Sequence, residues 1–249
     1  DPQGNHRFAI PQAAMALSSP AADLLPFAGQ MLPEPGVEIV TTAAATAGAN
    51  TANLVVNNPT DKALTNAHLF LEFVNITGTV VLEVPTTVNL PPGPTVAPVT
   101  FDVSRFTPPY QADQDYIVMA FLTDYQGNIL DTAARPLSSF QADPRPTFAI
   151  SDTDAAWGFG AAAQGALLKR RFTFANTGAL DLLTYVSAPA GLTVSQTGSR
   201  RVGPADMTTY EMTLNTANLA VGPYDGTVVI RTSDPDHPTR TVRVVGTVT

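Results

Sequence analysis

Gly222-Pro-Tyr-Asp-Gly-Thr-Val-Val-Ile-Arg-Thr-Ser-Asp-Pro235 decides the fold, with Phe172-Thr-Phe-Ala-Asn-Thr-Gly178 ahead of it and Thr241-Val-Arg-Val-Val-Gly-Thr-Val248 behind. Each stretch alternates apolar and polar residues with a period of two, the repeat of a strand buried on one face. Tyr224, Val228 and Ile230 fall on one side, with Asp225, Thr227 and Arg231 on the other. Tyr210, Met212 and Leu214 alternate with Thr209, Glu211 and Thr213, and Val242 and Val244 flank Arg243. Between the runs stand Asn176-Thr-Gly178, Pro189-Ala-Gly191, Val202-Gly-Pro204, Gly222-Pro223 and Asp234-Pro-Asp-His-Pro238, all turn formers. About seven short strands separated by turns every 8–12 residues make a β-sandwich.

Composition agrees. Hydrophobic residues are 44% of the chain but charged residues only 14%, against about a quarter in ordinary soluble domains. Polar character is left to Thr, Asn, Gln and Ser, which suit strands and turns. The 22 prolines are spread between short apolar runs, as at sheet edges and inter-strand loops. The chain is therefore all-β, and at 249 residues it is long enough for two domains with separate cores.

Residues 36–140 repeat the plan. Ala52-Asn-Leu-Val-Val-Asn57 and Asn58-Pro-Thr60 parallel Phe172–Gly178, and Pro92-Gly-Pro94 before Val99–Val103 parallels Gly203-Pro204 before Tyr210–Leu214. Asp115–Asp124 parallels Tyr224–Asp234, and Gln126-Gly-Asn128 replaces Asp-Pro-Asp as the hairpin turn. The expected organisation is an N-terminal arm over 1–35, an Ig-like sandwich over 36–140, a stiff proline-containing linker over 141–146 and a second sandwich over 147–249. Residues 147–248, through Asn176-Thr-Gly178, Val202-Gly-Pro204, Gly222-x-Tyr224-x-Gly226, Thr232-Ser-Asp-Pro235 and Val244-x-Gly-Thr-Val248, resemble bacterial Ig-like domains of the ASH (Hydin-like)/DUF1573 type. The resemblance implies an Ig-like sandwich in a non-catalytic part of a larger assembly or surface protein, and it carries over no active-site residues.

The arm is apolar yet cut by prolines at 2, 11, 20, 26, 33 and 35, too often for a long helix. With Phe8, Ile10, Leu24, Leu25 and Phe27 it is also too apolar for a solvated tail, so it should lie against a surface. Two runs suggest that surface. Tyr116–Leu122 is apolar on both sides, with Ile117, Met119 and Phe121 behind Tyr116, Val118 and Leu122, and Leu69, Leu71 and Phe73 have Phe70 and Val74 behind them. As neighbouring C and F strands these would carry a contiguous apolar outer patch. Either residues 1–35 of the same chain cover it, or the patch or a sheet edge receives a neighbour's arm by β-strand addition.

Chemistry finds little footing. There is no cysteine, and therefore no disulfide or thiolate site. His6, His68 and His237 lack the spacing of a metal motif, and Asp113-Gln-Asp115 and Asp234-Pro-Asp236 lack the series of a calcium loop. No Gly-x-Ser-x-Gly occurs, and Gly158-Phe-Gly160 reads as a tight turn before a strand rather than a phosphate loop. No cofactor is expected, and an enzyme is the least favoured class. The whole net charge of −8 sits in residues 1–145, which hold five Lys/Arg and thirteen Asp/Glu, against eight of each in 146–249. That balance argues against nucleic acid or an anionic membrane, and no run approaches the ~18 apolar residues of a span.

The leading expectation is a non-catalytic structural subunit of a cell-surface or extracellular assembly, with a periplasmic location as the alternative. It would be a homo-oligomer or polymer held by the arm, touching glycans or other surface proteins. A start at Asp1 fits either removal of a signal peptide or a trimmed chain. A carbohydrate-binding accessory module stays open through Trp157, Tyr110, Tyr125 and Tyr185, although Trp157 reads first as a core plug. A two-domain periplasmic chaperone fits less well, because residues 36–140 offer only Lys62, Arg105 and Arg135 for a basic cleft. Asn75-Ile-Thr77 is a candidate N-glycosylation acceptor.

Overall fold

The computed structural model describes residues 35–41, 43–196 and 198–249. Seven strands fall in its first part: β1 (Gly36–Thr41), β2 (Ala49–Asn58), β3 (Leu64–Asn75), β4 (Val80–Leu90), β5 (Gly93–Asp102), β6 (Tyr116–Thr123) and β7 (Ile129–Pro136). They form two antiparallel sheets, ordered β1-β2-β5 and β4-β3-β6-β7. Their inner faces share one core, in which Leu54, Leu69, Leu71, Phe73 and Leu122 are fully enclosed. Phe73 lies against Phe101 and Phe106, with ring centroids 4.6 and 5.2 Å away.

A second core is built from β8 (Phe148–Ile150), β9 (Ala156–Ala162), β10 (Leu167–Asn176), β11 (Leu182–Ser187), β12 (Leu192–Val194), β13 (Gly198–Val202), β14 (Met207–Asn215), β15 (Gly222–Thr232) and β16 (Thr239–Val248). The sheets are ordered β12-β14-β10-β8 and β13-β11-β15-β16-β9. Tyr210, Met212, Leu214, Val228, Ile230, Val242 and Val244 all point inward, as their alternation requires. Tyr210 stacks on Phe172 at 5.4 Å and on Phe174 at 5.6 Å. The protein is all-β, and its two sandwiches have the paired sheets of the Ig class, antiparallel throughout except where β9 joins β16.

Nine strands replace the expected seven in the second sandwich, one of the two extra arising because its first strand changes sheets and the other because the stretch between β11 and β14 gives two short strands, β12 and β13. β8 pairs with β10, the chain turns at 151–155, and β9 then runs parallel to β16 in the opposite sheet. This corrects one expectation: Gly158-Phe-Gly160 is not a turn before a strand but lies inside β9, where the ladder slips at Val245/Gly246.

The internal repeat extends to single hydrogen bonds. Asn58 ends β2 and Asn176 ends β10, and each is buried. Asn58 Nδ2 donates to Lys62 O (2.8 Å) and to Leu90 O at the end of β4 (2.9 Å). Asn176 Nδ2 donates to Leu180 O (2.7 Å) and to Val202 O at the end of β13 (3.0 Å). Its Oδ1 accepts the Thr147 and Gly178 N–H groups at 3.1 and 3.0 Å. Gly178 completes the Asn-Thr-Gly turn because any Cβ there would stand 2.3 Å from Arg145 O and 2.4 Å from Thr147 N.

The described residues belong to one compact unit. Segment 141–146 is held at both ends: Asp143 N donates to Thr41 O (3.1 Å), and Arg145 O accepts the Ala179 N–H (3.0 Å). A second contact joins the sandwiches directly. The Arg231 guanidinium donates to Pro92 O, with Nε at 3.1 Å and Nη2 also bonded, and lies over the Tyr185 ring at 4.9 Å.

Asp143 is also a titrating latch. It accepts the Thr41 N–H (2.7 Å) and pairs with Arg135 (2.6 Å), whose Nη2 also binds Ser139 O (2.7 Å). Burial alone would raise its pKa, but the Arg135 and Thr41 hydrogen bonds and the Arg135 charge outweigh it and hold the carboxyl below the ordinary Asp value. A folded pKa lower than the unfolded one gives stability that is present above the unfolded value and lost as pH falls through the folded one. Asp143→Asn is therefore expected to lower stability by about 1–2 kcal/mol at neutral pH. The deficit should close on acidification, when wild-type Asp143 is itself protonated. Thermal melts of both proteins across that range check it; a deficit independent of pH would exclude the ion pair as its cause.

Candidate functional site

The strands read as neighbours are neighbours. β3 pairs antiparallel with β6, and the outer face of their sheet carries Phe70 opposite Phe121, Glu72 opposite Met119 and Val74 opposite Ile117. On the other side of β3, Phe70 faces Pro85 and Glu72 faces Glu83 of β4. Inner neighbours Leu69, Leu71, Phe73, Val118, Ala120 and Leu122 are enclosed, so strict alternation leaves Phe70, Met119 and Phe121 half-buried outside and Ile117 40% exposed. The structure thus brings together Phe70, Ile117, Met119 and Phe121. Val74 departs from the expected outward patch: it is buried, beside the register shift at Phe73/Val74. Phe8, Ile10, Leu24, Leu25 and Phe27 lie outside the described residues.

Glu72 is the feature that composition and alternation did not single out. It stands between Phe70 and Val74 on β3, with Met119 on one flank and Glu83 directly across on the other. Burial, reinforced by the Glu83 charge, raises its pKa above the ordinary Glu value. Like charges directly opposite on neighbouring strands repel. Among the described residues no ion pair involves either carboxylate. The positions facing outward on β7, Thr132, Ala134 and Pro136, add no charge. A hint was available in Leu71-Glu-Phe73, a carboxylate set within an apolar run.

Other candidates resolve into structure. Trp157 is 6% exposed in the second core. Tyr185 lies under Arg231, whereas Tyr125 is 70% exposed at the β6–β7 hairpin and Tyr110 is 40% exposed beside a shallow depression also lined by Asp113, Gln114 and Asp115. Asp234 spends both oxygens on protein donors: Oδ2 accepts the Phe148 N–H (2.8 Å) and meets His237 Nδ1 (2.8 Å), while Oδ1 accepts the Asp236 N–H (2.9 Å). Asn75 lies at the β3–β4 hairpin, where its Oδ1 accepts from Thr77 N, Thr77 Oγ1 and Thr79 N beside the exposed Ile76. Among the described residues no group of three or more His, Asp or Glu side chains could hold a metal ion, and no helix is long and apolar enough to cross a membrane.

No protein-family model matches the chain, and no curated protein matches it. Solved structures are similar at low identity. A protein of unknown function from Porphyromonas gingivalis W83 is 14% identical, with 87% of this chain and 97% of that one covered at a TM-score of 0.37. The ASH/PapD-like domain 7 of human CEP192 is 12% identical over 43% of this chain and 86% of its own, at a TM-score of 0.34. A Bacteroides ovatus GH5 xyloglucanase is 10% identical over 41% of this chain and 19% of its own, at 0.31. The Ig-like class stands on the sheet topology described above.

Proposed function

We propose that this protein is a non-catalytic structural subunit of a cell-surface or extracellular assembly, in which the outer face of the β4-β3-β6-β7 sheet is a subunit contact and the N-terminal segment carries a neighbour's link by strand addition. The observation that carries the proposal is the Phe70–Phe121 pair with Met119 and Ile117, apolar side chains on the solvent side of strands whose inner faces already fill a core. Monomeric proteins normally cover such patches, and the resemblance of residues 147–248 to Ig-like domains of the ASH/DUF1573 type, carried by their turn motifs, fits a module of a larger assembly. Native mass measurement and electron imaging of the chain, intact and lacking residues 1–35, test it. Oligomers or filaments that vanish with the segment are expected; a monomer in both forms at every concentration would overturn it. The exposed Tyr110 and Tyr125 favour glycan binding as a second reading, and glycan arrays test that one directly.

A further inference from the structure

Across the outer face of the β4-β3-β6-β7 sheet the side chains stand in rows. His68 of β3 lies between Thr87 of β4 and Thr123 of β6, Phe70 between Pro85 and Phe121, and Glu72 between Glu83 and Met119. The β3–β4 ladder is regular from Ala67 to Phe73, so no bulge disturbs the spacing. An imidazole, a large apolar ring and a carboxylate therefore follow one another along β3 at equal steps of about 6.8 Å.

That order is self-complementary. Consider two copies stacked on this face about a two-fold axis lying in the interface and crossing the strands at Phe70. Strand direction reverses, Phe70 and Phe121 meet their own counterparts, and each His68 meets the Glu72 of the other copy. An axis along the strands would instead set each row on itself, bringing the Glu72 and Glu83 carboxylates of both copies together. The roughly 30° angle at which twisted sheets stack keeps the rows beside the axis within reach of one another.

Local chemistry agrees with the first arrangement. His68 is half-buried, and its Nδ1 lies 3.4 Å from Thr87 Oγ1, which leaves Nε2 for a carboxylate. Among the described residues Glu72 has no ion-pair partner, and the outward positions of β7 bring none. Four strands at ~4.8 Å by eight residues of β6 at ~3.4 Å give a face of about 500 Å² on each copy, about 1,000 Å² in all. This is the lower limit of a specific contact and corresponds to a weak dimer.

Resting on the assembly proposed above, we infer that this face pairs with the same face of a second copy about the axis through Phe70, with two His68–Glu72 contacts flanking an apolar centre of Phe70 and Phe121. The apolar centre supplies affinity, and the polar contacts fix the orientation. Such a dimer is closed, so growth beyond two copies needs a separate contact.

Sedimentation of the full chain and its variants over a range of concentrations tests the pairing. His68→Glu sets carboxylate against carboxylate twice in each dimer, and Glu72→Lys sets an ammonium against the imidazole twice. Each variant alone is expected to raise the dissociation constant at least about tenfold. An equimolar mixture of the two should restore a dimer holding one copy of each, because the introduced charges then meet each other and the native His68 meets the native Glu72. Native mass spectrometry counts that mixed species, and its return shows that both variants are folded. Association that neither variant weakens, or that mixing does not restore, overturns this stacking. If Phe121→Glu abolishes association in that case, the face remains a subunit contact and the assembly stands without this register. A wild-type chain that is monomeric at every concentration overturns the assembly and the pairing together.

Discussion

Asn176→Ala is expected to destabilise the second sandwich by about 3–5 kcal/mol, enough to unfold a marginal domain. The side chain is 1% exposed and all of its hydrogen-bonding capacity is used: two donors to Leu180 O and Val202 O, and one oxygen shared by the Thr147 and Gly178 N–H groups. Truncation strands backbone groups from three separate stretches in a place water reaches poorly, which costs about 1–3 kcal/mol for each group left without a partner. Some of these groups relax toward solvent, so the sum falls short of four full penalties. Asn58→Ala should cost less, about 2–3 kcal/mol, because the Asn58 oxygen serves both donors of a single residue, Thr60. The fluorescence of Trp157, the single tryptophan and part of the second core, reads the first variant alone. A denaturation midpoint within error of wild type would show that Asn176 is not the clasp described.

Gly93→Ala should separate the two sandwiches. Gly93 holds φ +88°, where a side chain costs about 1 kcal/mol, and its new Cβ would stand 2.2 Å from Tyr185 Cβ. No rotation of Tyr185 moves its own Cβ, so the backbones must part, and the Arg231 hydrogen bonds to Pro92 O and its seat on Tyr185 go with them. Together the loss is about 3 kcal/mol of coupling, combining overpacking with a broken charged hydrogen bond. Far-UV circular dichroism follows strands of both sandwiches, whereas Trp157 fluorescence follows the second. In wild type the two transitions should coincide, and in Gly93→Ala the fluorescence and dichroism midpoints should part. Coincident, unshifted curves in the variant would exclude this contact as what joins them.

The loss of coupling bears on assembly too. In the proposed assembly, a contact face on the first sandwich would transmit load to the second only if the two move as one body. The anchored 141–146 segment and the Gly93–Tyr185 contact are the two joints that do this within the described residues. Of these, the first was visible as a proline-containing stretch. The second was not, because Gly93 and Tyr185 are far apart in sequence and neither belongs to a pattern that marks the other.

Local periodicity settled a good deal without any coordinates. Alternation at Tyr210–Leu214 and Tyr224–Ile230 specified strands and their inward faces, since side chains on an extended backbone point to opposite sides whatever the neighbours are. Doubly apolar Tyr116–Leu122 and Leu69–Phe73 marked strands apolar on both faces for the same reason, their adjacency following only from an Ig-like topology, and Asn176-Thr-Gly178 marked a turn. Tertiary structure decided what alternation leaves open: register, and which chain segments meet. Glu72 and Glu83 become a facing pair only through the β3–β4 register, Val74 is buried by a register shift, and β8 and β9 part company where the chain crosses between sheets. Each of these depends on residues brought together by packing rather than by sequence neighbourhood, and slipping one strand by a single residue would reverse all of its faces.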